Sequence, residues 1–126
     1  QIFLSKNPTG FNESMRTIKQ LGAKTVLLVL NDRVADGKDV SWIWDIDLPK
    51  FQNILITGDR VYDMALRVKY TEKSGTRNPE FEIFERVDEA IMKGLKTLKL
   101  DETLYILPTY TAMLEVRKIL TGKSIL

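Results

Sequence analysis

Aspartate side chains are concentrated in one segment of this chain. Residues 31–45 read NDRVADGKDVSWIWD and contain Asp36, Asp39 and Asp45. Carboxylates at this density could bind Mg²⁺ or take part in catalysis, or they could cap turns and short helices. Their spacing differs from that of an EF-hand loop, and Asp36-Gly37 is a common turn, so we predict no metal site here. From the residues alone, a role for Asp39 as the cap of a short helix through Trp42 is favoured over a role in catalysis.

Two residue types that are common in catalysis, cysteine and histidine, do not occur in the sequence. Their absence excludes disulfides, thiolate nucleophiles, zinc sites built from Cys or His, and a Ser-His triad contained in this chain. It also excludes acid–base catalysis by an imidazole of this chain. Another chain or domain must therefore supply any such chemistry.

Two nucleotide-binding patterns can be compared with the sequence. Gly122-Lys123-Ser124 copies the end of a P-loop, but Arg117 occupies the position of the required earlier glycine, and the motif follows a predicted helix instead of a strand. The GxGxxG fingerprint of dinucleotide-binding domains does not occur in the sequence. We therefore predict no self-contained nucleotide site.

The elements that position these residues can be predicted from hydrophobic periodicity. Continuous apolar runs predict strands that are covered on both faces, as in parallel sheets. One further run alternates apolar and polar residues, which indicates a strand nearer the sheet edge. The continuous runs are residues 2–4, 26–30, 54–56 and 104–107, and the alternating run is residues 81–84.

Apolar residues at helical spacing predict four helices between and after the strands. Their ends are marked by residues that cap helices or stop them in a left-handed conformation. The expected helices begin after Asn12, after Asp59, at Asp88 with Glu89 and at about Thr111, and the first and last of them end at Gly22 and Gly122.

This alternation predicts an α/β fold, a Rossmann-like three-layer sandwich with a mostly parallel sheet of five to six strands flanked by helices. Residues 71–79 form a polar loop that is too short to separate two domains, so we expect one domain over residues 1–126. Ligands of open α/β sheets bind beyond the carboxyl ends of the strands. The polar segments that follow the predicted strands are residues 6–12, 31–45, 57–60 and 108–111.

The charge balance favours a protein partner over nucleic acid. The chain has 19 Lys and Arg against 17 Asp and Glu, a net charge of +2. Non-specific binding to nucleic acid needs clustered cations, which this balance does not provide. No apolar run approaches the ~18 residues of a transmembrane helix.

Four polar segments resemble a known family. Residues 6–13 (KNPTGFNE) resemble the opening of the C-terminal domain of Mur-ligase-type proteins. Residues 31–45, together with 57–60 (TGDR) and 107–114 (LPTYTAML), are similar to the MurT-type synthase subunits of lipid II isoglutaminyl synthases. The resemblance spans essentially the whole chain. It implies a Mur-ligase-type C-terminal domain that is a fragment of a longer subunit, whose central domain binds ATP and Mg²⁺.

The resemblance also implies a reaction in bacterial peptidoglycan biosynthesis. The full synthase subunit would use ATP and Mg²⁺ to activate the α-carboxylate of D-glutamate in the stem peptide of lipid II, as an acyl phosphate. A GatD-type glutaminase partner would hydrolyse glutamine with a Cys-His pair, and the released ammonia would attack the activated carboxyl group. The complex would work in the cytoplasm at the inner membrane face, and the isolated domain is expected to be inactive alone.

Specific residues gain expected roles from the resemblance. An aspartate of this domain would orient the histidine of the glutaminase, and Asp39 is the best placement, with Asp36 and Asp45 as alternatives. Residues Lys6, Asn7 and Pro8 would close over ATP held by the central domain. In the wider ligase pattern a histidine often stands where this chain has Lys6.

Aromatic residues of the same segments are expected to contact the glutaminase. Trp42, Trp44 and Tyr110 are the candidates, although burial in the domain's own core is equally open for the two tryptophans. Asp59 and Arg60 are expected to shape the crevice without selecting an amino acid, because ammonia is the nucleophile. Two other readings remain: a docking module that only recruits the glutaminase, and a free-standing α/β domain that binds a small molecule.

Overall fold

A parallel four-stranded sheet forms the centre of the protein in a computed structural model that describes residues 1–49, 51–70 and 80–122. The spatial order of the strands is β3-β2-β1-β4, with β1 and β2 in the middle. All residues of β1 and β4 are buried, as the continuous apolar runs predict. The strands are β1 (Thr25–Val29), β2 (Asn53–Thr57), β3 (Phe81–Ile83) and β4 (Leu104–Pro108).

Helices cover both faces of this sheet. The first two pack against one hydrophobic cluster and the last two against another, which gives three layers. Two short 3₁₀ helices, η1 (Val34–Asp36) and η2 (Ser41–Asp45), lie between β1 and β2. The structure confirms the α/β class and the parallel sheet. The helices are α1 (Pro8–Gln20), α2 (Val61–Lys69), α3 (Val87–Thr97) and α4 (Tyr110–Thr121).

The described part of the chain contains four strands, so the expected number of five to six is wrong there. The predicted first strand, residues 2–4, forms only an isolated parallel bridge between Ile2 and Ile106. The segment still runs beside β4, because the Phe3 N–H donates to the Ile106 carbonyl and the Ser5 N–H to the Pro108 carbonyl, both at 2.9 Å. Helix α1 begins at Pro8, which leaves little chain to extend the pairing.

The predicted cap of α1 is also wrong. Asn7 caps the helix, and its side-chain oxygen accepts a hydrogen bond from the Gly10 N–H at 2.8 Å. Pro8 then occupies the first turn, where the missing N–H of proline has no cost. Asn12 lies inside the helix, and its Oδ1 accepts from the N–H of Asp47 at 2.7 Å.

Other predicted ends are confirmed. Gly22 and Gly122 follow α1 and α4 with φ of +79° and +71°, the left-handed conformation that stops a helix at glycine. The alternating run forms β3 at the edge of the sheet. The loop at 71–79, and Lys123 and Ser124 of the rejected P-loop motif, lie outside the described residues. Across the described ranges, no helix is both long and apolar enough to cross a lipid bilayer.

Candidate functional site

The loops that follow β1, β2 and β4 meet at one side of the sheet, because parallel strands end at a common edge. We call residues 31–45, 58–60 and 109–111 the carboxyl edge. Backbone pairing continues into it: the Thr109 N–H donates to the Val29 carbonyl at 3.0 Å, and the Arg60 N–H to the Leu30 carbonyl at 2.9 Å. The edge is therefore fixed to the central strand.

Asn31 connects the three loops. Its side chain is 2% exposed, its Oδ1 accepts from the Asp59 N–H at 2.9 Å, and its Nδ2 donates to Thr111 Oγ1 at 3.2 Å. Its own N–H donates to Thr109 Oγ1 at 3.0 Å. Asn31 is not among the site residues predicted from the sequence. A buried polar side chain needs partners, so an asparagine that directly follows an apolar strand was the available signal.

A second set of contacts crosses the edge through Arg33. Its guanidinium contacts both carboxylate oxygens of Asp59, at 3.0 and 3.3 Å, and Glu115 at 3.3 Å. These hydrogen bonds, above all those to Asp59, raise the pKa of Arg33. The pairs are half-exposed, so each contributes about 0–1 kcal/mol and serves to fix geometry.

The neighbouring Arg60 is also held inside the domain. It forms a two-point pair with Asp63, at 2.7 and 3.2 Å, and contacts Asp32 at 3.0 Å. Both carboxylates raise the pKa of Arg60, Asp63 more strongly. Asp59 and Arg60, which were expected to shape the crevice, are therefore bound to side chains of this same edge and of α2.

The three candidate aspartates have different environments. Asp36 is partly buried, and its Oδ1 accepts from the Thr111 N–H at 2.8 Å. Its Oδ2 accepts from the Thr111 hydroxyl and, at 3.1 Å, from the Arg33 N–H. Both carboxylate oxygens of Asp36 are therefore engaged within the domain, whereas Asp39 and Asp45 are exposed.

Asp39 is a solvent-exposed, ionised carboxylate. Its Oδ1 accepts from the N–H of Ser41 at 2.9 Å, at the start of η2. Hydrogen bonds from Ser41, first from its backbone N–H and then from its side chain, lower the pKa of Asp39. Asp39 thus binds the first N–H of the 3₁₀ helix, although Val40 is the N-cap of that helix, and Asp39 also remains accessible from outside. A carboxylate can do both, because its two oxygens offer about four acceptor positions.

The aromatic candidates divide between the core and the surface. Trp42 packs edge-on against Phe11, with ring centroids 6.1 Å apart, next to the hydrophobic core. Trp44 is 50% exposed and lies under the guanidinium of Arg67, 5.7 Å from its ring centre, and Tyr110 is 41% exposed. Trp42 therefore packs against the core, which was one of the two positions expected for the tryptophans. Trp44 and Tyr110 face solvent.

Arg67 of α2 holds η2 in place. Its Nε donates to the Ile43 carbonyl at 2.8 Å and its Nη2 to the Ile46 carbonyl at 2.6 Å. Partial burial lowers the pKa of Arg67. These bonds satisfy carbonyl groups at the end of η2, where the helix itself offers no donors.

Residues Lys6, Asn7 and Pro8 lie at the same side of the sheet, because Ser5 pairs with Pro108 at the end of β4. Lys6 is exposed, whereas the side chain of Asn7 is occupied as the cap of α1. In the described residues no three acidic side chains are close enough together to hold a metal ion.

A cavity of about 590 Å³ lies between the carboxyl edge, α3 and α4. Its charged groups pair with each other: the Tyr62 hydroxyl donates to Glu85 at 2.9 Å, and Arg86 contacts Asp88 at 2.8 Å. The bond to Glu85 raises the pKa of Tyr62.

Comparison with known proteins decides the family. Residues 4–113 match the family model described as MurT ligase C-terminal. The chain belongs to this family. The four segments that carried the resemblance, residues 6–13, 31–45, 57–60 and 107–114, all lie at or beside the carboxyl edge of this MurT-family domain.

Two relatives give the extent of the similarity. The lipid II isoglutaminyl synthase (glutamine-hydrolyzing) subunit MurT of Staphylococcus aureus (strain COL) is 35% identical over 119 residues, which are 89% of this chain and 25% of that protein. The subunit of the same name from Streptococcus pneumoniae (strain ATCC BAA-255 / R6) is 35% identical over 132 residues, 98% of this chain and 28% of that protein. The chain spans about a quarter of the length of the curated relatives it matches.

Proposed function

We propose that this domain is part of an ATP-dependent, glutamine-hydrolysing amidotransferase that forms D-isoglutamine in lipid II, and that it presents Asp39 to a glutaminase partner. The names of the two relatives support the reaction class. The observation that carries the role of Asp39 is its exposed carboxylate, which Ser41 keeps ionised and oriented.

The proposed chemistry divides between two proteins. The glutaminase converts glutamine and water into glutamate and ammonia through a Cys-His pair. The ammonia then attacks the acyl phosphate formed from the α-carboxylate of D-glutamate and ATP, so that a C–N bond forms, the C–O bond to phosphate breaks and inorganic phosphate leaves. This chain contains neither cysteine nor histidine, so it contributes neither member of that pair. A carboxylate beside the imidazole holds its tautomer and stabilises its cationic form, which supports the thiolate.

Asp39 is the best candidate of the three aspartates. Asp36 has both oxygens bound within the domain, so it offers a partner little. Asp45 is exposed and remains the alternative. The lowered pKa of Asp39 means that it stays a carboxylate throughout the neutral range, as a group that accepts an imidazole N–H must.

Exposed apolar groups near Asp39 support a protein interface at this edge. Trp44 and Tyr110 are half-exposed, and Val34 of η1, which the sequence reasoning did not single out, is 86% exposed. Large aromatic side chains dominate binding energy at interfaces. We propose that Trp44, Tyr110 and Val34 contact the glutaminase, with Trp42 packing behind them.

We also propose that Lys6, Asn7 and Pro8 lie next to ATP and Mg²⁺ bound mainly by the central domain of the complete subunit. Their position beside the end of β4 and the exposed cation of Lys6 support this. Lys6→Ala in the complete subunit should raise the KM for ATP and leave glutamine hydrolysis unchanged. An unchanged KM for ATP would remove Lys6 from this role.

The role of Asp39 is tested in the complete synthase subunit together with its glutaminase. Asp39→Asn should preserve complex formation and lower the kcat of glutamine hydrolysis by up to about 10⁴-fold, the loss seen when a triad aspartate becomes asparagine. Asp45→Asn is the matched control, because Asp45 is an exposed aspartate at the other end of η2. A large loss in the control alone would transfer the role to Asp45.

One observation favours a second candidate, a docking module without a catalytic group. The bond from Ser41 to Asp39 is what an ordinary helix cap makes. In that case Asp39→Asn and Asp45→Asn would both leave glutamine hydrolysis intact, while substitution of Trp44 or Tyr110 would weaken the complex.

A further inference from the structure

We infer that Asp36 and Thr111 form a latch that fixes the segment bearing Asp39, which makes Asp36 a positioning residue of the proposed site. The inference rests on the proposed function of Asp39. It assigns to Asp36 a role different from direct contact with the glutaminase.

The latch joins η1 to the first turn of α4. Asp36 Oδ1 accepts from the Thr111 N–H at 2.8 Å, and Asp36 Oδ2 accepts from the Thr111 hydroxyl. The first N–H groups of a helix lack partners within the helix, and a carboxylate there is stabilised by the helix dipole. Asp36 therefore caps α4 from 75 residues away in the sequence.

The residue in the usual capping position is committed elsewhere. Thr109 precedes α4, but its hydroxyl accepts from the Asn31 N–H at 3.0 Å, and it makes no side-chain cap bond with the described turn of α4. The cap supplied by Asp36 is therefore a substitute that ties a distant loop to this helix.

The latch is anchored to the buried part of the carboxyl edge. Thr111 Oγ1 accepts from Asn31 Nδ2 at 3.2 Å while it donates to Asp36. Asn31 is itself fixed by the Asp59 N–H, and the Arg33 N–H donates to Asp36 at 3.1 Å. The carboxylate of Asp36 thus ends a chain of hydrogen bonds that begins at the end of β2.

Asp39 follows the latch by three residues, so its Cα lies within about 11 Å of that of Asp36. Gly37, with φ of +86° and open space around it, lies between them and would permit other conformations. On the far side, Arg67 holds the carbonyls of Ile43 and Ile46. The segment is therefore fixed at both ends, and release of the latch frees the end nearer to Asp39.

A catalytic group that moves by about 1 Å can lose about 10²-fold in rate. The latch can be tested with a matched pair of variants in the complete subunit bound to its glutaminase. Thr111→Val keeps the shape and the backbone N–H but removes the hydroxyl, whereas Thr111→Ser keeps the hydroxyl. We expect Thr111→Val to lower the kcat of glutamine hydrolysis by about 10- to 100-fold, with unchanged KM for glutamine and unchanged affinity between the subunits.

Two further measurements distinguish positioning of Asp39 from a merely structural role of Thr111: the kcat of Thr111→Ser, and hydrogen exchange of the segment that bears Asp39. Thr111→Ser should restore kcat to within about two-fold of the original, because it restores the donor to Asp36. Hydrogen exchange of residues 37–42 should become faster in Thr111→Val and not in Thr111→Ser. Equal kcat for the two variants, or unchanged exchange in this segment, would overturn the latch.

A double substitution separates this inference from the proposed function. In an Asp39→Asn background Thr111→Val should cause no further loss, since no carboxylate is left to position. The same fold-loss in both backgrounds would overturn the positioning role of the latch. Full turnover by Asp39→Asn alone would overturn the proposed function and the positioning role with it, whereas a loss there combined with full turnover by Thr111→Val would overturn only the latch. If Thr111→Val fails to fold, Asp36→Asn, which keeps one acceptor oxygen, replaces it in each comparison.

Discussion

The turns at the amino ends of the strands and those at the carboxyl ends are stabilised in different ways. At the amino edge, which we define as residues 21–24 and 98–103, the turns depend mainly on local backbone conformation, with positive φ at Gly22 and Asp101 and a bond from the Lys99 N–H to Glu102 at 2.7 Å. One ion pair, between Lys24 and Glu102 at 3.5 Å, joins the two turns. At the carboxyl edge, polar side chains bind partners far away in the sequence, such as Asn31 with Thr111.

This difference indicates that the carboxyl edge holds its side chains in fixed positions, in addition to reversing the direction of the chain. No residue of the amino edge is buried, whereas the carboxyl edge buries Asn31 and satisfies it with three hydrogen bonds. Buried polar networks that are fully satisfied rigidify a structure. Substitutions at the carboxyl edge should therefore cost more than matched substitutions at the amino edge.

Glycine substitutions give the largest expected contrast. Gly58 has φ of +108°, and a Cβ there would lie 2.5 Å from the Leu30 carbonyl oxygen. Gly58→Ala should lower the free energy of unfolding by about 3 kcal/mol or more, because strain and a backbone clash add. The control, Gly22→Ala, has a positive φ but open space, and should cost about 1–2 kcal/mol in urea unfolding. Equal costs would show that the close approach of β1 and β2 relaxes easily.

A matched pair of asparagines gives the next largest contrast. Asn31→Ala leaves the Asp59 N–H without its acceptor and removes the side-chain donor to Thr111 Oγ1, so we expect a loss of about 2–3 kcal/mol. Asn53, at the amino end of β2, is half-buried and donates to Thr25 Oγ1 at 3.1 Å. Asn53→Ala should cost about 1 kcal/mol. Equal losses would show that the hydrogen bonds at the carboxyl edge contribute no more to the free energy of unfolding than a single bond at the amino end of β2.

Part of this comparison follows from the sequence and part does not. Continuous apolar runs were sufficient to locate β1, β2 and β4, because a strand buried on both faces needs apolar side chains throughout. Gly22 marked the end of α1 for an equally local reason. The number of strands was wrong because residues 2–4 have the composition of a strand and too little chain before Pro8 to form one.

The caps of α1 and α4 could not be predicted from neighbouring residues alone. Asn7 and Asn12 are both suitable caps, and the choice depends on Pro8 in the first turn and on the bond of Asn12 to Asp47, 35 residues away. Asp36 was assigned to a turn with Gly37, and its carboxylate also caps α4 through Thr111, 75 residues later. The sequence predicts that the polar segments lie at one end of the sheet, but which of their side chains form hydrogen bonds with each other depends on the fold.

An arginine pair tests how η2 is held. Arg67→Lys keeps the charge but cannot reach both carbonyls with the planar geometry of a guanidinium, so we expect a loss of about 1–2 kcal/mol. Arg16→Lys is the control, because Arg16 is exposed and lies 3.9 Å from an exposed Glu13. Its substitution should change the free energy of unfolding by less than about 0.5 kcal/mol. Thermal unfolding of both variants measures the difference, and a tolerated Arg67→Lys would mean that η2 is held mainly by the burial of Ile43.

The smallest expected effect concerns acid stability. Arg60 lowers the pKa of Asp63 in the folded state, so this pair stabilises the fold above the unfolded pKa of about 3.9 and loses that contribution as the pH falls through the folded value. Asp63→Asn should therefore cost less than about 1 kcal/mol at neutral pH and nothing well below pH 3. Arg60→Gln should flatten the acid limb in the same way. A constant difference between pH 2 and pH 7 would contradict the assignment.

The hydrogen bonds between Asp36 and Thr111 also have a consequence for the order of assembly. Within this domain the segment that bears Asp39 leaves the ribosome before Thr111, which follows the fourth strand and emerges 75 residues after Asp36. Contacts between distant parts of a chain form only after the loop between them has closed, which slows folding. Asp39 is therefore synthesised before the residues that fix it, and it acquires its fixed position only once β4 has joined the sheet and α4 has begun.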